Sequence, residues 1–521
     1  MIMSNVCTER KGTKQPSLQG PLIITLHAKK YPCSHENDGI PKSISSLSSI
    51  DGQHPKQEAE EDWSTFHPEF THQLFENDII LGYKPYPQEP LLNNNELSLV
   101  TNDEVNGGSE QPLDDDKYLK IDIILSSSCH SCHVYVKSYD PTTWKESSIS
   151  NDLNQIISKL KMAIPPVISI NGEICAGQQS TFDKPFGKII HHYSPTKRSS
   201  ESMVMTLADP SAELSVLEYH NAVQNLSMFF IESASTVDIS NTAGGFWKIM
   251  YLFRSHSSAT KGFESDDDNI GTGENNNSKR RKIENNIFSL VGYTTLYYFH
   301  APFKRPKPGL VVRICQMLIL PPYQRCGHGK VMMEQIYNLI QKDDDKEIVV
   351  ELNVEDPCVG FTLLRNRIDY EFLKKKCEEL LPERYRCTLV NILADNECDE
   401  ENLKKLFPVL PDTEGIKIAS LMKVTKNQVH AAYELYKLDF GQRHFKMISV
   451  NKNSTGNDIA KQDKNSAAAQ KQFRIMVKKR LMKTYAERIG SVNELSEKQR
   501  ILNNLFDELL SAYCKVLHIE S

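Results

Sequence analysis

The sequence predicts an α+β fold with a helical region attached at its C-terminal end, and three observations carry that expectation. Strand-like runs FWKIMYLF (246–253), FSLVGYTTLYYF (288–299) and RICQMLIL (313–320) lead into a helix at about 327–341, the strand EIVVELN (347–353) and a short helix, an order of β-β-β-α-β-α. Upstream, YLKIDIIL (118–125) and CHVYVKSYD (132–140) alternate apolar and polar residues as a half-buried hairpin does, which predicts a smaller N-terminal α+β domain with antiparallel strands. Beyond Asp369 the pattern is helical.

Taken in order, residues 1–60 are rich in Ser, Lys, Glu and Gly and read as a disordered tail, with PLIITLHA (21–28) as one docked strand. An N-terminal domain follows over 61–200, interrupted near 93–116 by the polar insertion NNNELSLVTNDEVNGGSEQPLDDD. The central domain spans 201–370. Its helix over 213–230 spaces Leu214, Leu217, Val223, Leu226 and Phe230 at helical intervals and delivers Glu232 at its end. An Asn, Ser and Asp-rich loop near 255–287 reads as a disordered hairpin excursion. The C-terminal helical domain covers 371–521, with VTKNQVHAAYELYKL (424–438) and FRIMVKKRLMKTYAERI (473–489) as its clearest helices, a polar linker near 450–468 and a charged helix pair near 473–518.

Composition excludes several classes. With 521 residues, 39% hydrophobic, 25% charged and a net charge of -6, the chain has ample core material and is not a uniformly basic nucleic-acid binder. Twelve scattered cysteines and a start without a long apolar core fit a reducing intracellular compartment. No run reaches the roughly 18 apolar residues of a membrane span, so neither membrane nor direct nucleic-acid binding is expected.

At 324–329 the chain reads Q-x-x-G-x-G, a flexible turn after a Pro321-Pro322 stop and before a helix whose first N–H groups can face an anion such as pyrophosphate. A dinucleotide fingerprint would need glycine where Met332 stands, and a Walker loop would need Ser or Thr where Val331 follows Lys330. Glu355 and Asp356 follow a strand end and precede Pro357, where a carboxylate can enter a cleft. Such a carboxylate suits proton removal from a lysine ammonium, which is a poor nucleophile until it is deprotonated.

QMLILPPYQRCGHG together with VEDPCVGFTLLRNR (354–367) is similar to the type B histone acetyltransferase family of the GCN5-related N-acetyltransferase superfamily. FHPEFTHQLF (66–75), LGYKP (81–85), KPFGKIIHHYS (184–194) and FFIESASTVD (229–238) resemble it in the same order, so the likeness covers 63–370 and, more faintly, 417–438. The resemblance implies a mixed, largely antiparallel sheet flanked by helices, with 201–370 as the acetyltransferase domain. It also implies an acetyl-CoA-dependent histone lysine acetyltransferase without a metal, acting on tails of free, newly synthesised core histones, the H-four tail foremost.

By the same resemblance Glu355 is the general base, with Glu232 and Asp356 in supporting or alternative base roles. Backbone amides of Met317, Leu318 and Ile319 hold the acetyl carbonyl, while Gln324, Arg325, Cys326, Gly327, His328, Gly329, Lys330, Cys358 and Arg367 hold the rest of acetyl-CoA. Glu76, Asn77, Asp78, Tyr297, Tyr298 and Phe299 line the histone-tail channel. A WD40-propeller histone chaperone is the implied partner, and nucleus and cytoplasm the implied locations.

Other readings stay open beside this one. A transferase of the same fold acting on another amine or protein lysine, or a non-catalytic histone-binding scaffold, would share much of the pattern. An acyl-cysteine route through Cys315, Cys326 or Cys358 lacks a convincing neighbouring His. Cys129, Cys132 and His133 have haem-attachment spacing, but without a partner pair at zinc spacing they read as structural. Lys279, Arg280, Arg281 and Lys282 form a candidate nuclear import signal.

Overall fold

Alternation along 121–125 survives in three dimensions: Ile121, Ile123 and Leu125 are buried, whereas Asp122 and Ile124 are half-exposed. The computed structural model describes residues 22–27, 63–66, 83–85, 117–126, 128–140, 145–146, 151–171, 184–195, 202–231, 234–257, 286–304, 308–342, 348–387, 400–448 and 457–519. The chain divides into two compact units, one of Met1–Ser240, Met250–Tyr293 and Leu318–Cys326, the other of Asn241–Ile249, Thr294–Met317 and Gly327–Ser521.

The N-terminal sheet comprises β1 (Leu22–His27), β2 (Trp63–Phe66), β3 (Tyr83–Pro85), β4 (Lys117–Leu125), β5 (Cys132–Asp140), β6 (Lys145–Glu146) and, after helix α1 (Asn151–Ala163), β7 (Val167–Ile170). Its main path is β2-β1-β4-β5-β6. The expected hairpin is present, with β4 and β5 antiparallel from Tyr118↔Tyr139 to Leu125↔Cys132. As a whole, however, the sheet is mixed rather than antiparallel: β1 and β3 run parallel to β4, and β7 runs parallel to β5. The crossover through α1 makes that last pairing possible.

A second sheet contains β8 (Lys188–Tyr193) and β9 (Ser202–Ala208), then, after α2 (Leu214–Val223) and α3 (Ser227–Phe230), β10 (Gly245–Ser257), β11 (Asn286–Ala301) and β12 (Gly309–Ile319). Helix α4 (His328–Gln341) then leads to β13 (Val349–Val354), which lies parallel to β12, so the strand order is β13-β12-β11-β10-β9-β8. The helix expected over 213–230 is broken between α2 and α3 by a 3-10 turn at Gln224–Leu226. The Gln224 carbonyl accepts from the Ser227 hydroxyl at 2.7 Å and the Tyr293 hydroxyl at 3.1 Å, so side chains compete there for a helix acceptor.

The remaining elements are helical: α5 (Val359–Lys375), α6 (Cys377–Leu380), α7 (Glu400–Leu406), α8 (Asp412–Met422), α9 (Lys426–Phe445), α10 (Asn457–Thr484), α11 (Ala486–Gly490) and α12 (Leu495–Leu517). Residues 457–468 belong to α10 instead of a polar linker, helped by the helix-forming alanines at 467–469. Helix α9 is central to this region and buries Val429, Ala432, Tyr433, Leu435, Leu438 and Phe440. It also carries the buried Glu434, which accepts from Arg480 of α10 at 2.6 and 2.9 Å and from the Tyr513 hydroxyl of α12 at 2.9 Å. Three helices are thereby tied at one carboxylate. Among the described residues no helix is long and apolar enough to cross a membrane.

Candidate active site

Strands β12 and β13 pair from Leu310↔Val349 to Ile314↔Val354, and the last bond runs from the Glu355 N–H to the Ile314 carbonyl at 3.0 Å. There the two part. Strand β12 continues to Ile319, whereas after Glu355 the backbone turns through Asp356, at φ 34°, and Pro357 into α5. Glu355 therefore stands exposed at a fork, with Cys315 as its neighbour along the adjacent strand.

The Cys315 thiol donates to the Arg313 carbonyl at 3.9 Å, and burial, then the negative charge of nearby Glu355, pushes its pKa up to about 12. A thiol so raised is neutral near pH 7 and acts as a donor rather than a nucleophile. Its neighbour Arg313 donates from Nε to Asn353 Oδ1 at 3.3 Å, and its guanidinium carbon lies 5.1 Å from the Phe299 ring centre. Phe299 stacks on Tyr297 at 5.7 Å, and Tyr297 meets Trp247 at 4.7 Å.

An aromatic row thus leads along this unit to the Arg313–Asn353 pair. Strand alternation turns Tyr298 away from that row: it is buried, stacked on Phe246 at 4.9 Å, with the Lys248 ammonium 4.9 Å from its ring centre. Midway along β12, side chains replace ladder partners at Gln316. Its N–H donates to Thr295 Oγ1 at 3.0 Å, and Thr294 Oγ1 donates to its carbonyl at 2.8 Å.

Within the other unit, the turn after β12 is closed by the Gln324 amide, which donates to the Ile319 carbonyl at 2.9 Å. Leu320 N–H bonds the Val291 carbonyl at 2.9 Å, and a Cβ on Gly292 would lie 2.4 Å from the Leu318 oxygen, so this approach requires glycine. Arg325 sits at φ 63°, and Cys326 lies beside Tyr193 of β8, whose hydroxyl is pushed up by burial and then by that thiol.

Gly327, at φ 84°, is the N-cap of α4 and offers no side chain to cap it. The first turn of α4, with the amides of Gly329 and Lys330, is consequently left without a side-chain cap. A Cβ on Gly329 would lie 3.3 Å from Leu364, so the helix start is tightly seated against α5. The His328 ring is buried and its pKa is lowered by desolvation to about 4, leaving only its backbone for a ligand. Lys330 and Arg367 both pair with Glu371, at 2.7 and 3.0 Å, and Arg367 also bonds His518.

Cys358 is the exposed N-cap of α5. Arg365, in contrast, is buried: it donates to the Leu352 carbonyl at 2.9 Å and lies 3.8 Å from Asp369, which also accepts from Tyr337. Glu76, Asn77, Asp78, Glu232 and the basic run at 279–282 lie outside the described residues. Arg313, Asn353, Trp247 and Glu371 join the candidate site from the structure alone, within one unit. Their signal is spatial, because strand register and helix packing bring them together.

The Cys129–His133 stretch has local partners. Cys132 Sγ donates to the Pro165 carbonyl at 3.2 Å, and His133 pairs with Ser169 at 2.7 Å. Among the described residues, no group of three or more His, Cys, Asp or Glu side chains is arranged to hold a metal.

Residues 117–232 match the family model described as "Histone acetyl transferase HAT1 N-terminus". A histone acetyltransferase type B catalytic subunit of Dictyostelium discoideum is 24% identical over 465 residues, 88% of this chain and 76% of the relative. The Homo sapiens subunit of that name is 25% identical over 330 residues, 62% of this chain and 61% of its own length. The Emericella nidulans subunit is 27% identical over 356 residues, covering 62% of this chain and 58% of the relative, so the match spans about three-fifths of these last two proteins. Over these spans the chain is similar to the type B histone acetyltransferase catalytic subunits.

Proposed function

We propose that the protein moves the acetyl group of acetyl-CoA directly onto lysine ε-amines of free, newly synthesised core histones, with the H-four tail as its preferred chain, before chromatin assembly. The observation that carries this reading is the fork at Ile314 and Val354, where an exposed carboxylate, Glu355, stands at the point at which β12 loses its β13 partner. Unpaired strand backbone supplies N–H groups for an acyl oxygen, and a carboxylate beside it can take the proton of an incoming ammonium.

Acetyl-CoA, when bound, supplies an acyl thioester. The residues present fit it: Gly327 leaves the first turn of α4 without a side-chain cap, and the tight seat of Gly329 keeps that end free of bulk. In this reading the backbone of Gln324, Arg325, Cys326, Gly327, His328, Gly329 and Lys330 receives the pyrophosphate, assisted by Cys358 and Arg367. Amides of Met317, Leu318 and Ile319 receive the acetyl oxygen as negative charge develops on it. Glu355 withdraws the lysine proton, with Asp356 and Glu232 drawing the cationic substrate toward it.

Tyr297 and Phe299, with Glu76, Asn77 and Asp78, form the tail channel in this account, while Tyr298 packs on the opposite strand face. A WD40-propeller histone chaperone is the proposed partner, with the nucleus and cytoplasm as the places of action. Labelled acetyl-CoA offered with histone tail peptides, a free polyamine and an unrelated lysine peptide tests the assignment. Label should pass to the H-four tail first. Transfer to the polyamine or the unrelated peptide alone would reassign the substrate, and no transfer to any acceptor would favour a scaffold.

A further inference from the structure

Helices α5, α9 and the end of α12 enclose a cleft of about 480 Å³, lined among others by Arg367, Tyr370, Lys374, Lys375 and His518. Its volume falls within the roughly 300–1,000 Å³ of small-ligand pockets. Two carboxylates, Glu371 and Asp439, also line it, and each is already shared between two cations. Glu371 meets Arg367 at 3.0 Å and Lys330 at 2.7 Å, and Asp439 meets Lys374 at 2.9 Å and Arg443 at 2.7 Å.

Lys375 is the fifth cation of this group; it is exposed and pairs with no carboxylate among the described residues. Of the residues that line the cleft, three are cationic, Arg367, Lys374 and Lys375, and two are carboxylates, Glu371 and Asp439. The cleft is therefore electropositive. One of its donors is also held by a weak acceptor. Arg367 Nη1 bonds the His518 ring nitrogen Nε2, a partner that an anionic oxygen can replace with a stronger, charge-assisted bond. His518 ends α12 in the left-handed conformation, at φ 54°, so its ring is presented by a helix terminus and not from within a packed face.

We propose that this cleft binds a phosphomonoester, with Lys375 and Arg367 as its main charged contacts and His518 as the group displaced. The phosphate has two possible sources, the 3′-phosphate of coenzyme A itself or a separate phosphorylated small molecule. Only the first rests on the acetyl-CoA reading.

Calorimetric titration of the full chain and of its Lys375→Glu and His518→Ala variants with adenosine 3′,5′-bisphosphate, inorganic phosphate, coenzyme A and 3′-dephospho-coenzyme A tests the proposal. Adenosine 3′,5′-bisphosphate should bind, weaken about tenfold or more in Lys375→Glu and tighten in His518→Ala, as expected for one charged hydrogen bond lost and one competitor removed. If coenzyme A binds more tightly than its dephospho form and Lys375→Glu removes the preference, the source is the cofactor's own phosphate. If both coenzyme A forms bind equally while the variant weakens only the bisphosphate or free phosphate, the ligand is a separate molecule. Failure of both coenzyme A forms would count against the acetyl-CoA reading and leave the cleft standing. Equal binding of adenosine 3′,5′-bisphosphate by the parent and Lys375→Glu, or no binding of any phosphate probe, would overturn the site.

Discussion

Cys315 and Glu355 are neighbours across the β12–β13 fork, and burial, then the Glu355 charge, pushes the thiol up to about 12. A thiol that stays protonated can orient a carboxylate without competing with it for the substrate proton.

Removing that donor should impair turnover modestly. Cys315→Ala is expected to lower kcat/KM by about fivefold, the scale of one hydrogen bond of about 1 kcal/mol, whereas Cys315→Ser, which keeps a donor, should retain most activity. Steady-state kinetics on both variants checks this. At neutral pH a maleimide should label the exposed Cys358 well before Cys315.

Acid should weaken the fold through its buried histidines. Burial lowers His220 to about 3 and His328 to about 4, and burial, then Arg480, lowers His430 to about 4, against an ordinary value of 6.5. The unfolded chain therefore binds more protons than the folded one between about pH 6.5 and 3, so this contribution is complete above 6.5 and lost as pH falls toward 3. Each such group costs at most about 1.4 kcal/mol per pH unit within its window. Unfolding midpoints recorded from pH 7 to 4 should fall more steeply for the parent than for His220→Phe.

The carboxylate shared by α9, α10 and α12 is a second point of failure. Arg480→Met leaves Glu434 buried without its guanidinium and should cost about 3–5 kcal/mol, while Tyr513→Phe removes one hydrogen bond and should cost about 1 kcal/mol. Urea unfolding of the two variants provides the comparison.

What was legible in the sequence was whatever is local. The apolar run into Pro321-Pro322, the glycines at 327 and 329 and the helical spacing after them describe β12, its turn and α4 nearly as they are found. The hairpin of β4 and β5 was visible for the same reason, because alternation of period two is a local property. Long-range relationships were not visible. Cys315 meets Glu355 only because β12 and β13 are parallel and in register, and Arg367 meets His518 across 151 residues. The break between α2 and α3 arises from hydroxyls that reach Gln224 from Ser227 and Tyr293. Composition misled at 457–468, where a polar segment forms the first turns of α10.

The role given to Glu355 is the centre of the account, and Glu355→Gln is its most direct test because it keeps the side-chain shape while removing the base. Its kcat across pH, measured with a histone H-four tail peptide beside its affinity for acetyl-CoA, should be about a hundredfold or more below the parent near pH 7, the scale of general-base catalysis, with acetyl-CoA affinity nearly unchanged. Turnover equal to the parent at every pH would contradict the account.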